Sequence, residues 1–345
     1  MTPVVELVKA GKAFVRGPFW RRKKFWALTG IELAIGAGDR LAIVGESGSG
    51  KTTLARLITG LEQATEGEVR WFGQPLSSRT LRQFRRAIQY VHQDPYASLH
   101  PAKTIRQILA DPLRLAAREK DIDGRVRFLL RLVGLTPPEY FLDKYPHHLS
   151  GGGRQRLAIA RALTVWPRLL VADEPVSMVD MSIRAAIISL FKTLDVEHGI
   201  ATALILHDLG AARFFTEEKG RILVLYRGRI TEFGPGRDVL SMPQHPYTAL
   251  LLASSPRLPQ TAAPARRWPG LDADAEEHWE PHGDTLERFV GTNAEAVACS
   301  FADRCPFAEV RCRVELPRLR EIRPGHMVAC HRSETIAAEL KAIIG

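Results

Sequence analysis

No cysteine stands before position 299 of this 345-residue chain, and the four present, Cys299, Cys305, Cys312 and Cys330, crowd together. The opening residues Met1-Thr2-Pro3-Val4-Val5-Glu6 lack the charged-then-apolar layout of a secretion signal. Without an export signal, clustered thiols read as a metal or cluster site rather than as disulfides. Long hydrophobic runs are also missing. No stretch reaches the roughly 18 uninterrupted apolar residues that a membrane-spanning helix needs, so the chain is not expected to cross a bilayer by itself. Internal repeats are absent too. Hydrophobic residues at 45% and charged residues at 25% exclude a largely disordered chain. At roughly 150 residues per domain, about two domains are expected. Acidic residues are the scarcer sign, and the net charge of +10 calls for an anionic neighbour: nucleic acid, nucleotide or lipid headgroups.

The apolar pattern predicts strands at Val4-Val5 through Phe14-Val15, at Ile31-Glu32-Leu33-Ala34-Ile35 and at Leu41-Ala42-Ile43-Val44. Arg16-Gly17-Pro18-Phe19-Trp20-Arg21-Arg22-Lys23-Lys24-Phe25-Trp26 reads as a basic, aromatic-rich loop, either touching anionic headgroups or forming a solvated hairpin tip. Leu54, Leu57, Ile58 and Leu61 share one helical face. Residues from about 100 to 165 are mainly helical in pattern. Leu169-Leu170-Val171-Ala172 and Ala203-Leu204-Ile205-Leu206 read as buried strands. Residues 222–226 and 229–233, split by Arg227-Gly228, read as a hairpin. The Pro-, Ala- and acid-rich residues 256–285 read as a linker or a loosely packed wrap.

Three motifs carry chemistry. Gly45-Glu46-Ser47-Gly48-Ser49-Gly50-Lys51-Thr52, followed by Thr53, fits the phosphate-binding loop pattern between a buried strand and a helix. Its glycines let backbone N–H groups curl around phosphates. Lys51 is placed to reach the β- and γ-phosphates and Thr52 to ligate Mg²⁺. In the second motif, Asp173 and Glu174 end a buried strand, where a carboxylate is costly unless paired or metal-bound. Asp173 is expected to hold Mg²⁺, and Glu174 to act as general base on the attacking water. In the third, Ser150, Gly151 and Gly152 precede a helix, which makes either an anion-ready N-terminus or a capping turn.

In this order the three motifs resemble the ATP-binding-cassette (ABC) ATPases, a resemblance covering about residues 1–240. It implies an α/β phosphate-loop fold with a RecA-like core, an antiparallel β subdomain and a helical subdomain at about 95–160. It also implies that two such subunits pair head to tail, the phosphate loop of each facing Ser150 to Gly152 of the other across ATP. Residue by residue, Gln93 resembles the glutamine that senses Mg²⁺ and the attacking water. His207 resembles the switch histidine at the γ-phosphate. Asp180, in Ser177-Met178-Val179-Asp180, resembles the loop that crosses to the partner. Phe14 resembles the aromatic that stacks on adenine, with Phe25 and Trp26 competing for that place. Two departures stand out. Gly153 occupies a position where the family usually has Gln, and Met178 and Val179 stand where Ala and Leu are common.

Gln93-Asp94-Pro95-Tyr96-Ala97-Ser98-Leu99-His100-Pro101 and Gln244-His245-Pro246-Tyr247-Thr248-Ala249-Leu250-Leu251 resemble the oligopeptide, dipeptide and nickel importer ATPases. So does the cysteine-bearing extension within 241–345, and that resemblance implies a [4Fe-4S] cluster on Cys299, Cys305, Cys312 and Cys330. By spacing alone, a zinc ion or free or disulfide-linked thiols remain alternatives, although structural zinc sites usually carry tight C-x2-4-C pairs. Arg304, Arg311 and Arg313 stand to offset a cluster's charge. The expectation is therefore an ATPase, converting ATP and water to ADP and phosphate, with ATP, Mg²⁺ and a cluster as cofactors. Its expected place is the cytoplasmic face of the membrane. Its expected partners are two transmembrane permease subunits, a second ATPase subunit (the same or a related chain) and, indirectly, an extracytoplasmic solute-binding protein. The rival is a soluble ABC ATPase acting on nucleic acid or ribosomes. Such proteins usually carry coiled-coil insertions or tandem cassettes, which this chain lacks, so no nucleic acid partner is expected.

Overall fold

The computed structural model describes residues 2–16, 22–116, 120–177, 179–254 and 298–344. The linker expected at 256–285, Trp20, Arg21 and Met178 lie outside the described residues.

The chain opens with two long strands, β1 (Val5–Arg16) and β2 (Lys23–Ile35), paired antiparallel. This corrects the expected loop at Arg16 to Trp26, because Lys23 to Trp26 already belong to β2. Phe25 stands opposite Phe14 and Trp26 opposite Ala13, and such aromatic cross-strand pairs favour strand over loop. Next come β3 (Arg40–Val44) and α1 (Lys51–Ile58). Leu54, Leu57 and Ile58 are fully buried, as the helical face predicts. Leu61 is not; it is 49% exposed, because the helix stops at Ile58 and Gly60 turns the chain away at φ 66°. The strands β4 (Glu66–Trp71) and β5 (Gln74–Pro75) complete a four-stranded sheet of order β2-β1-β4-β5.

After α2 (Ser78–Phe84) and β6 (Ile88–Val91) the chain is helical, as expected: α3 (Ile105–Ala116), α4 (Ile122–Leu132), α5 (Glu139–Leu142) and α6 (Gly151–Leu163). Then β7 (Leu169–Asp173), α7 (Met181–His198), β8 (Ala201–Ile205) and α8 (Leu209–Thr216) alternate. The strands β9 (Arg221–Tyr226) and β10 (Arg229–Pro235) form the expected hairpin. The rest comprises α9 (Gly236–Ser241), α10 (Pro246–Ser254), α11 (Val310–Val314), β11 (Arg320–Arg323), β12 (His326–Val328) and α12 (Ala337–Ile344).

The large sheet has the order β11-β12-β10-β9-β3-β8-β7-β6, with β9 through β6 parallel and the other edge antiparallel. Its central strands are apolar on both faces. Along β3, Ala42 and Val44 pack toward the helices, while Leu41 and Ile43 pack toward α1 and the small sheet; β7 and β9 alternate in the same way. Arg40 at the start of β3 is buried too. Its guanidinium donates to Asp195 of α7 at 2.8 and 3.1 Å and to the Phe215 carbonyl of α8 at 3.1 Å.

Residues beyond 240 join this same body. Tyr247, Phe301 and Leu340 lie in the helix-side core, and β12 pairs with β10. The joint is fastened by Glu232, fully buried on β10. Its carboxylate accepts from the backbone N–H of Gln244 (2.9 Å) and His245 (3.0 Å) and bonds His326 Nε2 on β12 (2.8 Å). Glu232→Ala is expected to cost about 3 kcal/mol in denaturant unfolding, because it strands three buried partners. An unchanged midpoint would show that this joint contributes nothing.

Candidate functional site

Loops leaving the carboxyl ends of β6, β7, β8 and β3, four neighbours in the parallel sheet, carry most of the candidate residues. After β3 the loop turns sharply at Gly45, φ 149°, where an added Cβ would lie 2.2 Å from the Leu225 carbonyl oxygen. Only glycine fits there. Gly48 and Gly50 are also left-handed, and α1 follows with Thr52 and Thr53 half-buried in its first turn. The Lys51 ammonium is buried beneath the loop, donating to the carbonyls of Gly45 (2.7 Å) and Glu46 (2.8 Å). Burial lowers its pKa, and the carboxylates of Glu174, Asp173 and Glu46 pull it back up.

At the end of β7, Asp173 is 3% exposed. Its Oδ2 accepts from the Tyr90 hydroxyl at 2.7 Å, and its Oδ1 has no partner among the described residues. An unpartnered buried carboxylate oxygen near a phosphate loop fits Mg²⁺, which takes one or two carboxylates plus substrate phosphates. The Tyr90 phenol is pushed up by its burial and by the Asp173 charge, so it stays a donor. Glu174 adopts φ 48°, a strained conformation for a residue with a side chain. That turn brings its carboxylate between two neighbours. Gln93, beyond β6, donates its Nε2 at 2.8 Å, and His207 Nε2, beyond β8, makes a short contact on the other oxygen.

Ser150 caps α6, its hydroxyl accepting the Gly153 N–H at 3.2 Å. Gly152 is pressed against α7, where an added Cβ would lie 2.9 Å from a methyl of Ile183. Gly151 lines a groove of about 190 Å³ with Gln93, Tyr96, Arg154 and Glu174. Asp180 precedes α7 and is exposed. Among the described residues, Ser150, Gly151, Gly152 and Asp180 make no hydrogen bond to the Gly45–Thr52 loop. Phe14, Phe25 and Trp26 share one hairpin. The Lys12 ammonium lies 5.1 Å from the Phe14 ring and that of Lys24 4.3 Å from the Trp26 ring.

Cys299, Cys305, Cys312 and Cys330 converge on a second, small apolar pocket with His245, Phe301 and Phe307. The Cys299 N–H donates to the Cys312 carbonyl at 2.9 Å. Burial pushes the Cys305 thiol up to about 11 and that of Cys330 up to about 12, and raises Cys299 as well. Among the described residues no group of three His, Cys, Asp or Glu is arranged to hold a single metal ion. The arginines expected to offset a cluster's charge each have a carboxylate partner. Arg304 pairs with Glu46, Arg311 with Glu315 and Arg313 with Asp303, so each guanidinium is held by a carboxylate.

The chain is similar to known proteins along most of its length. Residues 28–177 match the ABC transporter family, and residues 231–312 match the oligopeptide/dipeptide transporter C-terminal region. The chain is 39% identical over 325 residues to the di/tripeptide transport ATP-binding protein DppF of Pseudomonas aeruginosa, across 92% of this chain and 94% of that protein. It is 36% identical over 339 residues to the oligopeptide transport ATP-binding protein AppF of Bacillus subtilis, across 95% and 97%. The chain belongs to the ABC transporter ATP-binding proteins.

This ABC ATPase shares its fold with the dimeric ATP-binding cassette MJ0796, solved after hydrolysis with ADP and phosphate bound. The two agree with a TM-score of 0.60 and 32% identity over 68% of this chain and 99% of that one. The departure at Gly153 has a local setting, since an added Cβ would lie 3.2 Å from Leu149 Cβ and 3.4 Å from the Ser150 hydroxyl. Three residues escaped the sequence reading. Tyr90 had its place next to Gln93 as a signal. Tyr247 stood inside a recognised segment without a role, and nothing local marked Arg304 as a partner of the phosphate loop.

His245 is fully buried, and its Nδ1 accepts the Tyr247 N–H at 3.0 Å, so the ring must be neutral. Burial lowers its pKa from 6.5 to about 3. Between those values the unfolded ABC ATPase binds a proton that the folded one refuses. The stability from neutral His245 is therefore present above pH 6.5 and lost as pH falls toward about 3. Denaturant titrations across that window are expected to lose up to ~1.4 kcal/mol per pH unit from this group. His245→Asn keeps an acceptor for Tyr247 and should flatten that slope; an unchanged slope would assign it to other groups.

Proposed function

We propose that this ABC ATPase energises an importer of peptides or a related small solute, at the cytoplasmic face of a membrane. It would work beside two membrane-spanning permease subunits and a second ATPase subunit, the same or a related chain, with an extracytoplasmic solute-binding protein delivering cargo. The match to the oligopeptide/dipeptide transporter C-terminal region, and relatives named for peptide transport, support the solute class. The observation that carries the chemistry is Glu174, held between Gln93 and His207 at the mouth of the phosphate loop.

In this reading the Gly45–Thr53 segment binds the ATP phosphates. Backbone N–H groups freed by Gly45, Gly48 and Gly50, with Ser47, line them, and Lys51 meets the β- and γ-phosphates. Thr52 and the unpartnered Asp173 oxygen would hold Mg²⁺, which when bound offsets phosphate charge. Gln93 completes that surround and positions water. Glu174 takes the proton as water attacks the γ-phosphorus; the bond to the bridging oxygen breaks and ADP leaves with phosphate. His207, on the free edge of the Glu174 carboxylate, meets the γ-phosphate. Phe14 stacks on adenine. Ser150, Gly151, Gly152 and Asp180 serve the nucleotide of the second subunit, and closure of the pair shuts out water. Glu174→Gln, which keeps shape and removes the base, should cut phosphate release about 10²- to 10⁴-fold while ATP binding persists. Unchanged release would refute Glu174 as the base.

The four thiols would hold a [4Fe-4S] cluster. Their convergence on one pocket supports this. Anaerobically purified protein should then show broad visible absorption and about four irons per chain. Zinc at about one per chain without iron would replace the cluster with zinc, and neither metal would leave the thiols free.

A further inference from the structure

The thiol pocket and the phosphate loop are joined by a short chain of contacts that the proposed hydrolysis does not use. Arg304 immediately precedes Cys305. Its guanidinium grips the Glu46 carboxylate with two bonds of 2.9 Å each, a bidentate pair reaching from the cysteine-bearing extension to the second residue of the phosphate loop. Tyr247, whose neighbours His245 and Pro246 line the thiol pocket, meets the same residue from the other side. Its hydroxyl accepts the Glu46 backbone N–H at 2.7 Å. Both Glu46 groups are thus held by the extension. Glu46 in turn accepts at its carbonyl from Lys51 (2.8 Å) and the Ser49 N–H (3.2 Å), so its position sets the shape of the loop.

The link has little slack. The Tyr226 and Tyr247 rings stand 4.4 Å apart, and Phe301, 1% exposed and itself a wall of the thiol pocket, lies 5.3 and 5.5 Å from them. The Arg304 guanidinium lies 5.8 Å from Tyr226 and 5.7 Å from Phe301. Arg227 at the adjacent hairpin turn donates to the Ser300 carbonyl at 3.1 Å. Packed cores move between discrete arrangements rather than flexing freely, so a change in the packing of the thiol pocket must displace Arg304, Tyr247 or both.

We propose that Arg304 and Tyr247 are positioning residues of the ATP site, and that through them the packing of the four-thiol pocket sets nucleotide affinity. The proposal rests on the loop being the ATP site. The probe is a fluorescent ATP analogue with Mg²⁺, titrated on the full chain, alongside steady-state hydrolysis. Arg304→Met keeps the apolar stem against the rings and loses the pair; it should weaken binding about fivefold and raise KM alike, with kcat nearly unchanged. Glu46→Gln should do the same, and the double variant should be no weaker than either single one. Tyr247→Phe, which keeps the ring, should weaken binding by a smaller factor. Cys305→Ser should weaken binding in the natural chain and add nothing in the Arg304→Met background. Wild-type affinity in Arg304→Met, strict additivity with Glu46→Gln, or an equal Cys305→Ser effect in both backgrounds would overturn the link. Lys51→Ala that binds like the natural chain would instead overturn the ATP site itself, and the proposal with it.

Discussion

A sheet buried on both faces can show polar groups only at its ends. Here the central strands β3, β7 and β9 feed alternate side chains into two apolar cores. Every charged group the chemistry needs is therefore driven to the carboxyl edge of the sheet, where loops begin. Lys51, Asp173, Glu174 and His207 gather there because there is nowhere else on these strands for them to go. Their crowding explains the state of each. Lys51 is desolvated and surrounded by carboxylates, Asp173 leans on a tyrosine hydroxyl, and Glu174 is turned into a left-handed conformation to reach its two partners.

In the proposed reading the same constraint would divide labour between two subunits. One chain supplies the phosphate loop and the acid pair. The α6 N-terminus is capped by Ser150 and, among the described residues, makes no hydrogen bond to that loop. In the proposed reading the site is complete only when two chains close on one another, so that binding and subunit movement would be a single event. The groove holding Gln93, Tyr96, Gly151 and Arg154 has Glu174 on its wall, so any element that presses there bears directly on that carboxylate.

Local chemistry was legible in the sequence wherever neighbours in the chain act together. Gly45 to Thr52, Asp173 with Glu174, and the hairpin at Arg227-Gly228 announce themselves because turn, strand and helix signals lie within a few residues of one another. Errors came where partners are distant. Lys23 to Trp26 read as a loop because their charges suggest solvent, but Phe14, across the hairpin, draws them into a strand. Leu61 fits the helical period, but the helix has already ended. Arg304 reads as a counter-charge to a cluster, yet its carboxylate partner lies 258 positions away in the chain, a separation no local pattern encodes.

The pairing of β12 with β10 bears on how the molecule is made. Glu232 and His326 are 94 positions apart, and both are wholly inside the protein. A ribosome releases the carboxylate long before its histidine. During that interval β10 has no β12 beside it and carries an acid, and a charge on an open sheet edge discourages wrong pairing. Arrival of β12 then gives the acid its histidine partner and covers the edge in one step. The group that guards the unfinished protein is thus the one that fastens the finished one.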